Sequence, residues 1–535
     1  MADAEVHSLH GFFVEGRVDR AKRGDFDASV QRLVDVARTG DGRQELAVAG
    51  AVPVLLSLSG CIFPKSFQDV CASWWSFKSF HLYVKLLRNL CAGNSINQEA
   101  LVASEGLEAL AQVVEFLAPQ YASPHGTCED GESAVPFEGL QIVLQLLGNV
   151  AGHGEVTQAR IWERFFPSVF LMVAGVANIK VQEPLCMLIY TCCRDNDSRC
   201  SKLAEGKGAS IVASLLNRGG GISGGGVIAS DAPNEWLEFL VSRLSFANPG
   251  LQTLFTSLGG TGWNISETNV FTKDQASLLD ILNASLSARE EENRTSDPHA
   301  EGHHYTSLPL TSASFLTDVI RAAAKHAAST NLSGLKLPTQ SPGADVLGLS
   351  LSMTRTLCVL DAKRSTIIPT FASSGLIPLL LNLLRALGLP DNAKTQDLGE
   401  QPPLPSDDSE SFPRRDVYIG YRRDIVAVIA NASHRSFQIQ ELVRENAGLL
   451  VVLQQCMPDT NNPFLREWGL WAIRNLLEGN TANQTEVADL EIQSTVPDAR
   501  LREAGMAVEI NPETGRPRLV NVASGTDNPA EDEFM

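Results

Sequence analysis

Apolar residues recur every three or four positions along most of this chain of 535 residues. In the stretch HLYVKLLRNL (81–90), for example, the leucines fall on one side of a helix. A period of two, which is typical of β-strands, is sustained only near the end of the chain. There, MAVEI (506–510) and RPRLVNV (516–522) flank a turn at 511–515. The pattern therefore predicts an all-α chain that ends in a small β-hairpin.

The helical pattern repeats along the chain. Residues 86–101 (LLRNLCAGNSINQEAL) and 472–487 (AIRNLLEGNTANQTEV) share R-N-L, G-N and N-Q at the same places, and 146–161 and 428–442 are weaker copies. Each copy carries an Asn that is followed nine residues later by a Gln: Asn89 and Gln98, Asn149 and Gln158, Asn431 and Gln440, Asn475 and Gln484. Each unit has the pattern of three helices, the first ending at the Asn. Such a unit cannot bury its apolar side alone, so neighbouring units must stack.

Further copies of the unit define the predicted extent of the array. They lie at 25–58, 80–117, 138–178, 180–217, 234–260, 346–388, 420–456 and from 464 onwards. Gly106 and Gly448 each follow the Asn of their unit by seventeen residues. We expect these glycines to end the second helix in the left-handed conformation. The same offset back from Gly375 places Cys358 at the Asn position of its unit.

Stretches rich in Pro, Gly, Ser and acidic residues interrupt the units and predict surface insertions. They lie at 119–137, 217–234, 288–312, 327–345 and 390–416. A weaker helical pattern occupies 275–287 and 313–326. We therefore expect four parts: N-terminal helical repeats at 1–260, a weaker helical middle with loops at 261–345, C-terminal helical repeats at 346–490, and a hairpin with an acidic tail at 491–535.

Composition and charge narrow the classes of function. Hydrophobic residues make up 44% and charged residues 20%, which is enough apolar material for a large core. The 43 Lys and Arg against 62 Asp and Glu give a net charge of −19, which argues against binding to nucleic acid or to an anionic membrane surface. We expect no membrane span, because no charge-free stretch approaches the ~20 apolar residues that a span needs. The start, MADAEVHSLH, has no secretory pattern and the ten cysteines form no C-x-x-C motif, so we expect reduced thiols in a cytoplasmic protein.

Candidate sites for chemistry are weak. Residues 221–225 match G-x-S-x-G, but they lie among glycines and not between a strand and a helix, as a catalytic elbow requires. The histidines within 299–304 lie in a polar loop. The one thiol cluster comprises Cys186, Cys192, Cys193 and Cys200. Its apolar surroundings are more typical of small buried side chains than of metal ligands. We therefore predict no catalytic residue, no cofactor and no metal.

The unit resembles the armadillo repeat, whose pattern has an Asn late in one helix, then N-Q, then A-G-A-[IL]-P. Residues 461–484, NNPFLREWGLWAIRNLLEGNTANQ, also resemble the C-terminal signature of the ataxin-10 family, N-P-F-x-x-E-W-x-[IL]-[YW]-A-[IV]-R-N-L. The tail at 501–520 is similar to that family's closing hairpin. The resemblance implies an armadillo-like, right-handed superhelical solenoid. It also implies a non-enzymatic cytoplasmic protein that binds other proteins, associates with itself, and acts in cytokinesis or signalling.

The Asn of each unit is the best candidate for a partner-binding residue. In armadillo arrays this side chain lines a concave surface, where its amide can both donate to and accept from an extended peptide. The last unit adds an aromatic side chain one turn earlier on the same helix face. The predicted partner-binding residues are Asn89, Asn149, Asn431, Trp471, Arg474 and Asn475.

Several alternatives compete with a role of these residues in partner binding. The Asn side chains could instead cap turns within their own repeats. Likewise, Trp468 and Trp471 could be core residues, because aromatics at helical spacing often are. An adaptor that carries extended peptide cargo is the alternative function, but it would need several Trp–Asn pairs. The positions equivalent to Trp471 are Lys85, Gln145 and Ala427.

Overall fold

The structure is a computed structural model of the chain. It describes residues 2–14, 17–64, 75–103, 105–122, 137–217, 234–246, 249–266, 270–295, 310–330, 334–361, 366–390, 412–490, 501–502, 505–511 and 517–521. Its α-helices are α1 Ala2–Ser8, α2 Arg23–Val36, α3 Gly40–Val48, α4 Ala51–Ile62, α5 Phe77–Leu90, α6 Ser95–Ala103, α7 Gly106–Ala122, α8 Glu138–Ala151, α9 Glu155–Phe165, α10 Ser168–Ala174, α11 Ile179–Cys193, α12 Asp197–Ala204, α13 Gly206–Leu216, α14 Glu235–Phe246, α15 Gly250–Leu258, α16 Lys273–Thr295, α17 Leu310–Ser329, α18 Pro342–Asp361, α19 Ile367–Ser373, α20 Leu376–Leu387, α21 Tyr421–Ser433, α22 Phe437–Glu445, α23 Gly448–Leu453, α24 Leu465–Leu477 and α25 Thr481–Ala488. The strands are β1 Phe13–Val14, β2 Arg17–Val18, β3 Met506–Ile510 and β4 Pro517–Asn521.

One helix of each unit packs against the corresponding helix of the next unit. We call these the ladder helices; in order they are α2, α5, α8, α11, α14, α16, α18, α21 and α24, and each contacts its successor. The other helices of each unit pack alongside them, as α6 and α7 do against α8. The predicted all-α, armadillo-like superhelical solenoid is thus confirmed. Its physical basis is that each unit buries its apolar side against its neighbours.

The second unit shows how the sequence builds a unit. Phe80 and Leu87 lie on the buried face of α5. In the following G-N turn, the side chain of Asn94 accepts a hydrogen bond from the backbone N–H of Asn97 at 3.0 Å and so caps α6. The Asn97 amide in turn donates to the carbonyl of Leu90 at 2.9 Å. Because the last carbonyls of a helix lack helical partners, this bond completes the end of α5.

The glycines at the start of the third helix differ from expectation. Neither Gly106 nor Gly448 has a positive φ, so the predicted left-handed conformation is wrong for both. A Cβ would lie 2.6 Å from the carbonyl oxygen of Leu101 at Gly106, and 2.8 Å from that of Val443 at Gly448. Glycine is needed because the preceding helix approaches too closely for a side chain. The left-handed residue beside Gly448 is Ala447, with φ 49°.

The row of ladder helices continues through the middle of the chain. Both helical stretches predicted there are present within α16 and α17, and α16 contacts α14 on one side and α18 on the other. By length and composition α18 could cross a membrane, and so could the bent pairs α3–α4 and α19–α20 if each were one span. The expectation that the chain has no membrane span stays a prediction. In the fold, 72% of the apolar window of α18 is buried, because α16, α17 and α21 pack around it.

Two short antiparallel sheets lie near the chain ends. β3 pairs with β4, with Val508 opposite Leu519, and this pairing confirms the predicted hairpin. Residues 512–515 of the predicted turn lie outside the described residues. Near the N-terminus β1 pairs with β2 over two residues each. Strands this short do not produce a recognisable alternation in the sequence.

Candidate functional site

The Asn and the Gln of the repeat join neighbouring units. Asn149 on α8 donates from Nδ2 to the carbonyl of Arg88 on α5 at 2.9 Å. Gln98 on α6, in the same unit as Arg88, donates from Nε2 to the main-chain carbonyl of Asn149 at 2.7 Å. The Asn of one unit and the Gln of the preceding unit therefore make two hydrogen bonds across one helix interface.

The last two units repeat this arrangement. Asn475 donates from Nδ2 to the carbonyl of Ala430 at 2.9 Å, and Gln440 donates to the carbonyls of Asn475 and Glu478 at 2.9 and 3.2 Å. Asn475 is 1% exposed and Gln440 is 2% exposed. Buried amides must find their partners inside the protein, so these bonds help to fix one unit on the next. We call each such set, Gln98 with Asn149 and Gln440 with Asn475, an interunit clamp.

The hydrogen bond of Asn431 identifies which residue of α18 holds the Asn position of the preceding unit. Its Nδ2 lies 3.4 Å from the carbonyl of Arg355, to which it donates. In both interunit clamps the acceptor is the residue just before the Asn position of the preceding unit. By that rule Thr356 occupies the Asn position of α18. The glycine spacing instead predicts Cys358, which lies two residues later.

Two of the Asn side chains do not cap turns of their own repeats, contrary to the alternative considered from the sequence. Asn149 and Asn475 bond to a neighbouring unit and not to a turn of their own repeat. Asn475 is also buried. In the second unit, Oδ1 of Asn89 accepts from the Arg88 guanidinium at 3.1 Å. Asn89, Asn149 and Asn431 are partly exposed, and their role in partner binding stays a prediction.

The two tryptophans of the last ladder helix have different environments. Trp468 packs partly buried against the core, whereas Trp471 is 48% exposed. The guanidinium carbon of Arg474 lies 4.9 Å from the centre of the Trp471 ring, which is a cation–π contact. Leu470 beside it is also exposed. Trp471 is therefore a surface residue, and it forms a single surface with Arg474.

The signature Asn462 is an internal support. It is fully buried; its Nδ2 donates to Asp416 at 2.9 Å and its Oδ1 accepts from the backbone N–H of Arg423 at 3.2 Å. Its own N–H donates to the carboxylate of Asp459 at 3.1 Å. These bonds hold the segment before α21 against the turn before α24. The signature thus includes residues that position the last ladder helix.

An aromatic cluster on two ladder helices was not predicted from the sequence. Tyr190 of α11 lies 5.9 Å, between ring centres, from both Trp236 and Phe239 of α14, which are 5.8 Å from each other. Phe239 is 50% exposed. The spacing of Trp236 and Phe239 is a signal for one helix face. Tyr190 belongs to another unit, and only the stacking of units brings it close.

The titratable groups show little sign of metal chemistry. Cys186, Cys192, Cys193 and Cys200 are buried. Burial raises the pKa of Cys192 to about 12, whereas the side-chain hydrogen bond with Cys193 lowers the pKa of Cys200. In the part of the chain that the structure describes, no group of three or more His, Cys, Asp or Glu side chains is arranged to hold a metal ion. Cys71, Cys128, the histidines within 299–304 and residues 221–225 lie outside the described residues.

A cavity of about 440 Å³ lies between α4 and α7. Ser57, Ser59 and Glu108 are among the polar residues that line it. Both hydroxyls donate to carbonyls of their own helix at 2.7 Å. Glu108 accepts from Arg164 at 2.6 Å, and this hydrogen bond lowers its pKa.

Comparisons with known proteins bear on these features. Residues 421–520 match the family model described as the spinocerebellar ataxia type 10 protein domain. Ataxin-10 of Macaca fascicularis is 23% identical over 492 residues, which cover 90% of this chain and 86% of that protein. The ataxin-10 homolog of Candida albicans is 41% identical over 93 residues, which cover 17% of this chain and 20% of that protein. A solved designed armadillo repeat protein in complex with peptide (KR)4 is 14% identical, has a TM-score of 0.33, and covers 52% of this chain and 98% of that one. The resemblance predicted from residues 461–484 is confirmed: residues 421–520 match the family's domain, and most of the chain is similar in sequence to ataxin-10 proteins.

Proposed function

We propose that this protein is a non-enzymatic scaffold of the cytoplasm that binds other proteins along its ladder helices. The observation that supports this most is the unbroken row of nine ladder helices in the described part of the chain. A row built from stacked units offers one long surface, and a partner can contact several units at once. The family resemblance extends the proposal to a role in cytokinesis or signalling.

Cross-linking of captured partners tests this proposal. Full-length tagged protein would be purified from cytosol with its partners and treated with a lysine-reactive cross-linker. We expect partner cross-links at Lys85 of α5 and Lys180 of α11, which are ladder helices. Lys202 of α12 and Lys207 of α13 are exposed lysines on the shorter helices and serve as internal controls. Cross-links confined to the control lysines, or no specific partner at all, would overturn the proposal.

The absence of catalysis needs its own test. Turnover of a substrate by the purified protein, lost on a single substitution that leaves the fold intact, would contradict a scaffold role.

The cellular role has a separate test. If the protein acts in cytokinesis, its depletion should raise the fraction of multinucleate cells. Re-expression of the full chain should restore the normal fraction of multinucleate cells.

The adaptor alternative finds less support. It needs an Asn beside Trp471 that is free to bond an extended peptide. The Asn475 amide instead donates to Ala430, and the residue is 1% exposed. Because using this amide for a peptide would break an interunit clamp, the geometry favours a scaffold with other contact residues.

A further inference from the structure

One side of α5 carries three potentially cationic groups in a chain whose net charge is −19. His81, Lys85 and Arg88 are spaced by four and three residues, so they lie on one face of the helix. Each of the three is partly exposed. Burial, followed by the charges of Lys85 and Arg88, lowers the pKa of His81. We call these three residues the cationic face.

Arg88 is fixed in position by neutral partners. One guanidinium nitrogen donates to Oε1 of Gln145 on α8 at 2.7 Å, and another donates to Oδ1 of Asn89 at 3.1 Å. Burial lowers the pKa of Arg88, because the guanidinium is partly withdrawn from water. No carboxylate of the described chain forms an ion pair with it. Its positive charge is therefore positioned but not neutralised.

Acidic side chains on the adjoining ladder helices have other partners. Glu138 of α8 lies 3.6 Å from the ammonium of Lys180, measured from Oε1 to Nζ. Asp27 of α2 lies 3.6 Å from the ammonium of Lys78. The charge of Glu138 also acts on His81 and partly offsets the lowering of its pKa. Among the described residues, Lys85 and Arg88 have no ion-paired carboxylate as a counter-charge. A carboxylate brought by a partner would supply it.

The cationic face is a property of this unit and not of the repeat. In the last unit the positions of Lys85 and Arg88 are held by Trp471 and Arg474. There the guanidinium lies over the tryptophan ring, which satisfies it within one helix. In the second unit Lys85 holds the position of the ring, and within the described residues no cation–π contact of Arg88 takes its place.

We propose that the cationic face of α5 binds an extended acidic segment of a partner protein. This rests on the proposed scaffold function and gives the place and chemistry of one of its contacts. The planar guanidinium of Arg88 can hold a carboxylate through two parallel hydrogen bonds, and Lys85 adds a second charge one turn away. Packed helices lie about 8–10 Å apart and an extended chain rises about 3.3 Å per residue, so a segment crossing from α5 to α8 spans about three residues.

Fluorescence anisotropy with the full-length protein tests this contact. The probe is a fluorescein-labelled peptide, Gly-Ser-Glu-Asp-Leu-Glu-Asp-Leu-Ser-Gly, and its control replaces Glu and Asp by Gln and Asn. We expect the acidic peptide to bind about tenfold more tightly than the amide peptide, and less tightly as salt rises from about 50 to 200 mM. Arg88→Gln and Lys85→Gln should each weaken binding by about fivefold or more. Arg466→Gln makes the same change in net charge on α24 and should leave binding unchanged.

Several results would overturn the proposal. The amide peptide could bind as tightly as the acidic one, the wild type could bind neither, or both variants could keep wild-type affinity and wild-type melting temperature. Tighter binding of a phosphoserine peptide, by about tenfold, would overturn the choice of a carboxylate ligand. Partner capture separates this inference from the scaffold itself. If wild type binds no acidic peptide yet still captures and cross-links partners, the cationic site fails and the scaffold stands; if it captures none, the scaffold fails.

Discussion

Replacing Gln440 by leucine removes one half of the C-terminal interunit clamp. In the folded protein its amide donates to the carbonyls of Asn475 and Glu478 at 2.9 and 3.2 Å, and the residue is 2% exposed. Leucine keeps most of the volume but leaves both carbonyls without this donor. At about 1 kcal/mol for each lost hydrogen bond, and more where a buried carbonyl stays unpaired, we expect α24 and α25 to lose about 2–3 kcal/mol of stability.

Hydrogen exchange of the full-length protein measures this loss locally. Because about 1.4 kcal/mol is a factor of ten, peptides from 465–490 should exchange roughly 30- to 150-fold faster in Gln440→Leu. Peptides from 179–216 should keep their wild-type rates, because each unit of a solenoid contacts only its neighbours. A local measurement is preferable to a single unfolding curve, since long repeat arrays need not unfold in one step.

Gln484→Leu is the matched control. Gln484 holds the equivalent position in the last unit, but it is exposed and donates to the carbonyl of Leu477 in its own unit at 2.7 Å. Its loss should cost less than about 1 kcal/mol. Equal effects of the two substitutions, or a change of less than about threefold in exchange for Gln440→Leu, would refute the reasoning that the clamp holds two units together.

Three further predictions concern local packing and titration. Gly448→Ala places a Cβ 2.8 Å from the carbonyl oxygen of Val443, so we expect a loss of about 2 kcal/mol in α22 and α23, measured by hydrogen exchange. Burial raises the pKa of Asp424 above its usual 3.8, so the folded protein binds this proton more tightly than the unfolded chain does. The stability that results is present at low pH and is lost as the pH rises through the raised pKa. Asp424→Asn should remove that part of the pH dependence of the unfolding free energy, as measured by urea unfolding at several pH values. An unchanged dependence on pH would contradict this prediction. Burial raises the pKa of Cys358 to about 12, so iodoacetamide at about pH 8 should leave it unmodified in the native protein and label it in urea, as read by mass spectrometry.

Much of the fold could be predicted from local patterns. The predicted units begin within a few residues of the ladder helices, as unit 138–178 does with α8 and unit 180–217 with α11. A helix is set by residues three and four positions apart, so its place along the chain is visible in the sequence. The same holds for Trp471 and Arg474, whose contact lies within one helix. The spacing of the repeat predicted a special role for Gly448, which begins α23, but it did not predict the backbone conformation of this glycine. That conformation depends on how closely two helices approach each other.

The sequence by itself determined that this protein is built from helical units, that the units must stack, and that the last of them carries a family signature. Only the tertiary structure decided what the conserved spacing of Asn and Gln does within this chain. Asn475 and Gln440 are 35 residues apart, and Arg88 and Gln145 are 57 apart. Such pairs meet only after the ladder helices have packed, because register between units is set by the whole interface and not by neighbours along the chain. The neutral surroundings of the Arg88 guanidinium in the described chain are likewise a consequence of packing, since stacking brings Gln145 beside it.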